Sequence, residues 1–205
     1  MAHCVRVGAL WWLVGLVVVL LDCCASTSLV SSQRNPTYAG PALKRLIVVA
    51  VASDPRVRKA FEDEFVAKLN AANVNAQPSY PLVSDTSSVS KAQLKEVLER
   101  AGADGALAAR LVRVDTDLNA LQMFNFEDRS AGFYAYYSSE PSGSLDPSLV
   151  GGPNPITIHF DLYSVAGSQL AWAGDAATFP STDVKQVAAG LAYTLIPALK
   201  KQNLI

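Results

Sequence analysis

The alternation of apolar and polar positions divides the chain into segments of different period. "KRLIVVAVAS", Lys44 to Ser53, is a continuous apolar and β-branched run of strand length. Such a run predicts a central strand buried on both faces. The period then changes. In "SDPRVRKAFEDEFVAKLNAAN", Val57, Phe61, Phe65 and Leu69 recur every fourth residue, which predicts a helix with one apolar stripe. Ser53 or Asp54 is its expected N-cap, Pro55 suits the first helical position, and Glu64 with Lys68 forms an i,i+4 pair on the wet side. "VNAQPSY" reads as a short strand limited by Pro78.

A second helix is expected from Ser90, where Ser90 and Gln93 have capping-box spacing and Leu94, Val97, Leu98 and Ala101 give the buried face up to Gly102. "GALAARLVRVD", Gly105 to Asp115, reads as a third strand. Between about residues 116 and 155 the periodicity fails in an aromatic, Gly/Pro/Ser-rich insertion. Clean alternation returns in "ITIHFDLYSV", where Ile156, Ile158, Phe160 and Leu162 point one way and Thr157, His159, Asp161 and Tyr163 the other. "AGSQ" supplies a turn to the returning strand "LAWAGDAATF". Thr182 or Asp183 caps a last helix with a stripe of Val184, Val187 or Ala188, Leu191, Leu195 and Leu199; Pro197 should kink it near Tyr193. The expected fold class is α/β (α+β): a mixed sheet of about five strands, about three helices mainly on one face, and a C-terminal β-hairpin followed by a helix.

The head of the chain follows a different rule. Val7 to Leu21 is apolar throughout, after a short segment with Arg6. As a helix it would span about 22 Å, short of the roughly 30 Å hydrocarbon core, so it reads as an export signal rather than an anchor. It ends Leu20, Leu21, Asp22, Cys23, Cys24, Ala25. That resembles the lipobox of bacterial lipoproteins, in which a cysteine after the apolar core is acylated and becomes the first mature residue. Asp22 stands where a small residue is expected before Cys23. Cys24 is therefore favoured as the lipidated residue, with Cys23 as the alternative. The resemblance implies a palmitate-bearing lipoprotein, and Ala25 after the cysteine points to the outer membrane, facing the periplasm. The expected organisation is a signal peptide over 1–23, a flexible lipid-proximal linker over 24–42, and a single domain over 43–205.

Composition narrows the chemistry. The only cysteines are Cys4, Cys23 and Cys24, which leaves no disulfide framework, thiolate metal site or cysteine nucleophile for the domain. Lys and Arg total 17 against 18 acids, without a basic run, so no nucleic-acid partner is expected. Ser88 and Lys91 have the Ser-x-x-Lys spacing of penicillin-interacting serine enzymes, but the supporting Ser-Asp-Asn and Lys-Thr-Gly elements are absent, and Ser90 explains the stretch as a helix start. His159 is the only histidine beyond the signal, too few for zinc. With Asp161 on the same face it could orient a general base, but no nucleophile motif accompanies it and an exposed sheet face is the favoured account. Asp54, Glu62, Asp63 and Glu64 read as structural acids of the first helix. "VASDPRV" lacks the glycines of a phosphate cradle, and no cofactor or metal is expected.

"VLERAGADGALAARLVRV" and "DLYSVAGSQLAWAG" resemble small proteobacterial lipoproteins of uncharacterised function, and are distantly similar to the α/β domains of CsgG, LpoB and the N-terminal part of TolB. The resemblance implies a non-enzymatic envelope domain that binds other proteins. Phe133, Tyr134, Tyr136 and Tyr137, in an aromatic cluster with Phe124 and Phe126, read first as an extra strand or ribbon packed on the domain and second as a partner-binding surface; the hairpin pair His159 and Asp161 is a further partner-binding candidate. The expected partners are the membrane, through the lipid, and an envelope protein. The alternatives are a homo-oligomeric envelope assembly and an envelope hydrolase using His159 and Asp161.

Overall fold

The computed structural model describes residues 27–52, 54–83, 91–112 and 155–205. These build a six-stranded mixed sheet with three helices. In chain order the elements are β1 (Ser28–Arg34), β2 (Arg45–Val51), α1 (Pro55–Ala71), β3 (Asn75–Pro78), α2 (Lys91–Arg100), β4 (Gly105–Val112), β5 (Ile156–Ser164), β6 (Gln169–Thr178) and α3 (Val184–Lys201). The strand order is β1-β6-β5-β4-β2-β3. β2 pairs parallel with β3 and β4; the β4–β5, β5–β6 and β6–β1 pairs are antiparallel.

Alternating side chains of the central strands feed two separate cores. Leu46, Val48 and Ala50 of β2, Leu107 and Ala109 of β4, and Ile158, Phe160 and Leu162 of β5 meet the stripes of α1 and α3. The rings of Phe61, Phe65 and Phe160 continue from helix to sheet with successive centroids 5.6 Å apart. Each such ring, fully buried, contributes about 2–3 kcal/mol of transfer free energy. On the opposite face Ile47, Val49, Ala106 and Ala108 pack with Leu98 of α2, Val83, Tyr163 and Leu170. Two helices thus cover one face and α2 the other.

Local signals end the elements as their chemistry dictates. Asp54 caps α1 by accepting from the Arg56 amide, with Pro55 next to it, and Asp183 caps α3 by accepting from Lys185 and Gln186. Gly102 follows α2 with φ of +68°, a conformation that costs a residue with a Cβ. α3 continues through Pro197, which has no amide to give the Tyr193 carbonyl.

One expectation needs correction. Residues 24–42 were expected to be a flexible linker on their Ser, Thr, Pro and Gly content, yet Ser28–Arg34 is the edge strand β1, paired with Trp172–Ala177 of β6. It lies at the sheet edge with β6 as its one strand neighbour, and five of its seven residues are exposed, so it carries no hydrophobic signature. Its neighbours fix the following segment: Asn35 donates through its side chain to the Leu170 carbonyl at 2.6 Å, and the buried Tyr38 donates to the Pro41 carbonyl at 2.8 Å.

Candidate functional site: a polar row inside the sheet

Strand register aligns four polar residues across the α2-side face. Arg110 of β4 is opposite His159 of β5, His159 is opposite Asp175 of β6, and Asp175 is opposite Ser31 of β1. Directly opposed side chains in antiparallel strands have Cβ atoms about 4.5–5.5 Å apart, close enough to pair. Nδ1 of His159 and Oδ1 of Asp175 meet in a hydrogen bond. Ser31 Oγ donates to the other oxygen of Asp175 at 2.5 Å.

Across the strands His159 therefore meets Asp175, a residue the strand's own alternation does not name. Asp161 shares the strand face but is two residues away, about 7 Å along the strand. A β-bulge decides which residue lies opposite. Tyr163 pairs with Leu170, but Leu162 pairs with Trp172, so Ala171 is an extra residue in β6. Without it, continuing the register from the turn would put Gly174 opposite His159. The bulge also moves side chains between faces. Leu170 packs in the α2-side core, whereas Trp172, two residues on, is in the α1/α3 core.

The expected exposure of this face also needs correction. His159 is 1% exposed, Asp161 is 0% exposed, and Arg110 and Thr157 are buried as well. Alternation reports polarity, not contact with water; polar groups that satisfy one another across strands can be enclosed. Chemically, the row contains a histidine whose Nδ1 is held by a carboxylate, the arrangement that orients a base. Here the hydroxyl at hand, Ser31, is bonded to that carboxylate on the side away from the imidazole. The evident physical role is to fix register, because a slip of one residue would turn these groups into the α1/α3 apolar core.

The acids of α1 occupy a second polar cluster. Glu62 is fully buried and accepts from Ala50 N (3.0 Å), Arg58 Nε (3.0 Å), Ser79 N (2.7 Å), Ser79 Oγ (2.7 Å) and Tyr80 N (3.0 Å). It joins α1, β2 and the turn after β3. Asp63 pairs with Lys59 at 2.6 Å and accepts from Tyr80 Oη at 2.9 Å, and Glu64 pairs with Lys68 at 3.2 Å. Asp54 is held below the usual carboxylate range by hydrogen bonds from the Arg56 guanidinium and then from backbone amides. The structural reading of all four acids agrees with these contacts, although Glu62 acts from the interior rather than at the helix end.

An open groove of about 620 Å³ lies between the C-terminal halves of α1 and α3, lined by Ala72, Ile196 and Pro197 and flanked by Lys68, Tyr193 and Lys200. The Lys68 ammonium sits 5.3 Å from the Tyr193 ring centroid. Among the described residues no cluster of three or more His, Cys, Asp or Glu could hold a metal, and no helix is long and apolar enough to cross a membrane. Cys23, Cys24, Ser88, Phe124, Phe126, Phe133, Tyr134, Tyr136 and Tyr137 lie outside the described residues. Sequence reasoning missed Arg110, Asp175 and Ser31. Only strand register brings them to His159, and a two-residue periodicity does not contain it.

No protein-family model matches the chain, and no curated protein matches it. Among solved structures the chain is similar to the PelC dodecamer from Paraburkholderia phytofirmans, with 15% identity, 84% of this chain and 96% of that chain covered, and a TM-score of 0.44. A point variant of that dodecamer gives 14% identity, 82% and 96% coverage, and a TM-score of 0.45. Lipoprotein GNA1162 from Neisseria meningitidis gives 12% identity, 78% and 95% coverage, and a TM-score of 0.38. Likenesses of this degree carry no argument about activity or assembly.

Proposed function

We propose that the protein is a lipid-anchored component of the bacterial envelope, held at the outer membrane through Cys24, whose folded domain is a non-catalytic accessory module for an envelope protein. The observation that carries this reading is the stretch "LVVVLLDCCAST", an apolar run too short to span a bilayer that ends in a cysteine pair. Acylation at more than one position gives stable membrane attachment, where a single chain would be marginal. The alternative hydrolase reading relied on His159 with Asp161, but His159 engages Asp175 and is enclosed.

The test is in-cell crosslinking of the native protein followed by mass spectrometry, with Cys24→Ser as control. A single reproducible envelope partner, lost with the lipid, is the expected result. Self-crosslinks alone would favour a homo-oligomer. A Cys24→Ser protein that fractionates with membranes as the parent does would refute the anchor, once Cys23 is also replaced.

A further inference from the structure

The beginning of β1 fixes how the domain meets the bilayer, if Cys24 bears the lipid as proposed above. Four Cα–Cα steps separate Cys24 from Ser28, a reach of at most roughly 14 Å when fully extended. Ser28 pairs with Ala177, and Thr27 Oγ1 is hydrogen bonded to Thr178 Oγ1 at 2.9 Å. The tether therefore enters at the end of the sheet where β6 finishes and α3 begins. The opposite end, at the β5–β6 turn around Ala166, lies the full length of β6 away, ten residues or roughly 30 Å. The lipid cannot reach it.

A second observation marks the same end. Phe179, the residue after β6, is 52% exposed, and Val30, the extra residue of the β1 bulge, is 56% exposed. These are two of the four large hydrophobic residues exposed among the described residues, and both adjoin the tether. An aromatic ring held this close to an acylated cysteine fits the amphipathic headgroup layer.

We propose that the end of the sheet carrying Thr27, Thr178 and Phe179 rests on the lipid surface, with the Phe179 ring in the interface and the β5–β6 turn pointing away. The partner of this surface is the bilayer itself. The domain is seated on the membrane by a three-residue leash, not suspended from it on a long spacer.

The experiment uses the full chain, exported and acylated in a Gram-negative host and reconstituted into phosphatidylethanolamine/phosphatidylglycerol vesicles containing lipids brominated near the headgroup. Mass spectrometry of the amino-terminal peptide first establishes acylation. Tryptophan fluorescence is then read for Phe179→Trp and Ala166→Trp, each against the parent, whose mature chain has only the buried Trp172. Loss of the added emission for Phe179→Trp, with none for Ala166→Trp, is expected. Thr182→Trp, at an exposed position of the same end, is the second probe should Phe179→Trp not fold. An acylated protein in which Ala166→Trp is quenched as much as the tether-end probe, or in which no probe is quenched, overturns the orientation. Absence of acyl groups from both Cys24 and Cys23 overturns the anchor itself, and the orientation with it.

Discussion

Replacing Glu62 by Gln tests whether the buried carboxylate holds α1 to the sheet. The two side chains have nearly the same shape, so packing changes little. The polar contacts do change. Gln retains one carbonyl oxygen, which can serve Ala50 N, Arg58 Nε and Ser79 Oγ, and presents an NH₂ group where Oε2 now accepts from Ser79 N and Tyr80 N. Two backbone donors then face a donor, each at about 1–3 kcal/mol. The amide also removes the charge opposite Arg58, whose side chain is only 5% exposed. Breaking one side of a buried ion pair costs about 3–5 kcal/mol, a figure that overlaps with the first rather than adding to it. We expect a total loss of about 4 kcal/mol, or roughly 8–16 °C in Tm for a domain of this size. Glu64→Gln is the matched control: it breaks a half-exposed pair with Lys68 on the same helix and should cost under about 1 kcal/mol. Thermal unfolding of both variants by circular dichroism decides the matter. Equal shifts in Tm would refute the view that Glu62 organises this end of the fold.

Two further outcomes follow from particular contacts. Gly174→Ala should destabilise by about 2 kcal/mol through overpacking, because the new Cβ would collide with the Trp172 indole and lie 2.9 Å from the Ser31 carbonyl oxygen; chemical denaturation measures it, and an unchanged midpoint would contradict the close approach of β1 to β6. Asp54, with its folded pKa depressed by Arg56, contributes stability that is present above its unfolded pKa and lost as pH falls through the folded one. Asp54→Asn should flatten that portion of a Tm-against-pH profile taken from about pH 6 to about pH 2, and a profile identical to the parent's would remove Asp54 as a contributor.

Much of the fold is legible because helices and buried strands advertise themselves by period. The Val57–Phe61–Phe65–Leu69 stripe, the Asp183 cap and the hairpin turn follow from local chemistry and are present as expected. β1 is different. "SLVSSQR" is mostly exposed and lies on an edge, so its strand character comes from hydrogen bonds to β6, which leave no trace in hydropathy. The candidate site was half legible for a related reason. Strand alternation places His159 and Asp161 on one face, but it names neither the opposing residue nor the degree of burial. Both depend on the Ala171 bulge and on which strands are adjacent. Glu62 was equally opaque: its acidic neighbours Asp63 and Glu64 are solvent-facing, and only the phase of α1 turns Glu62 inward beside Arg58.

The Ala171 bulge makes β6 a strand with two grammars. From Gln169 to Leu170 the α2-side and α1/α3-side positions follow the count from the turn; from Trp172 to Thr178 they follow its opposite. A single-residue deletion in the hairpin would therefore exchange the vocabularies of the two cores over the whole distal half, bringing Asp175 to the side now occupied by Trp172. Substitutions in this strand are free to drift only within their own half. The hairpin can lengthen or shorten without penalty to its distal half only in steps that preserve this parity.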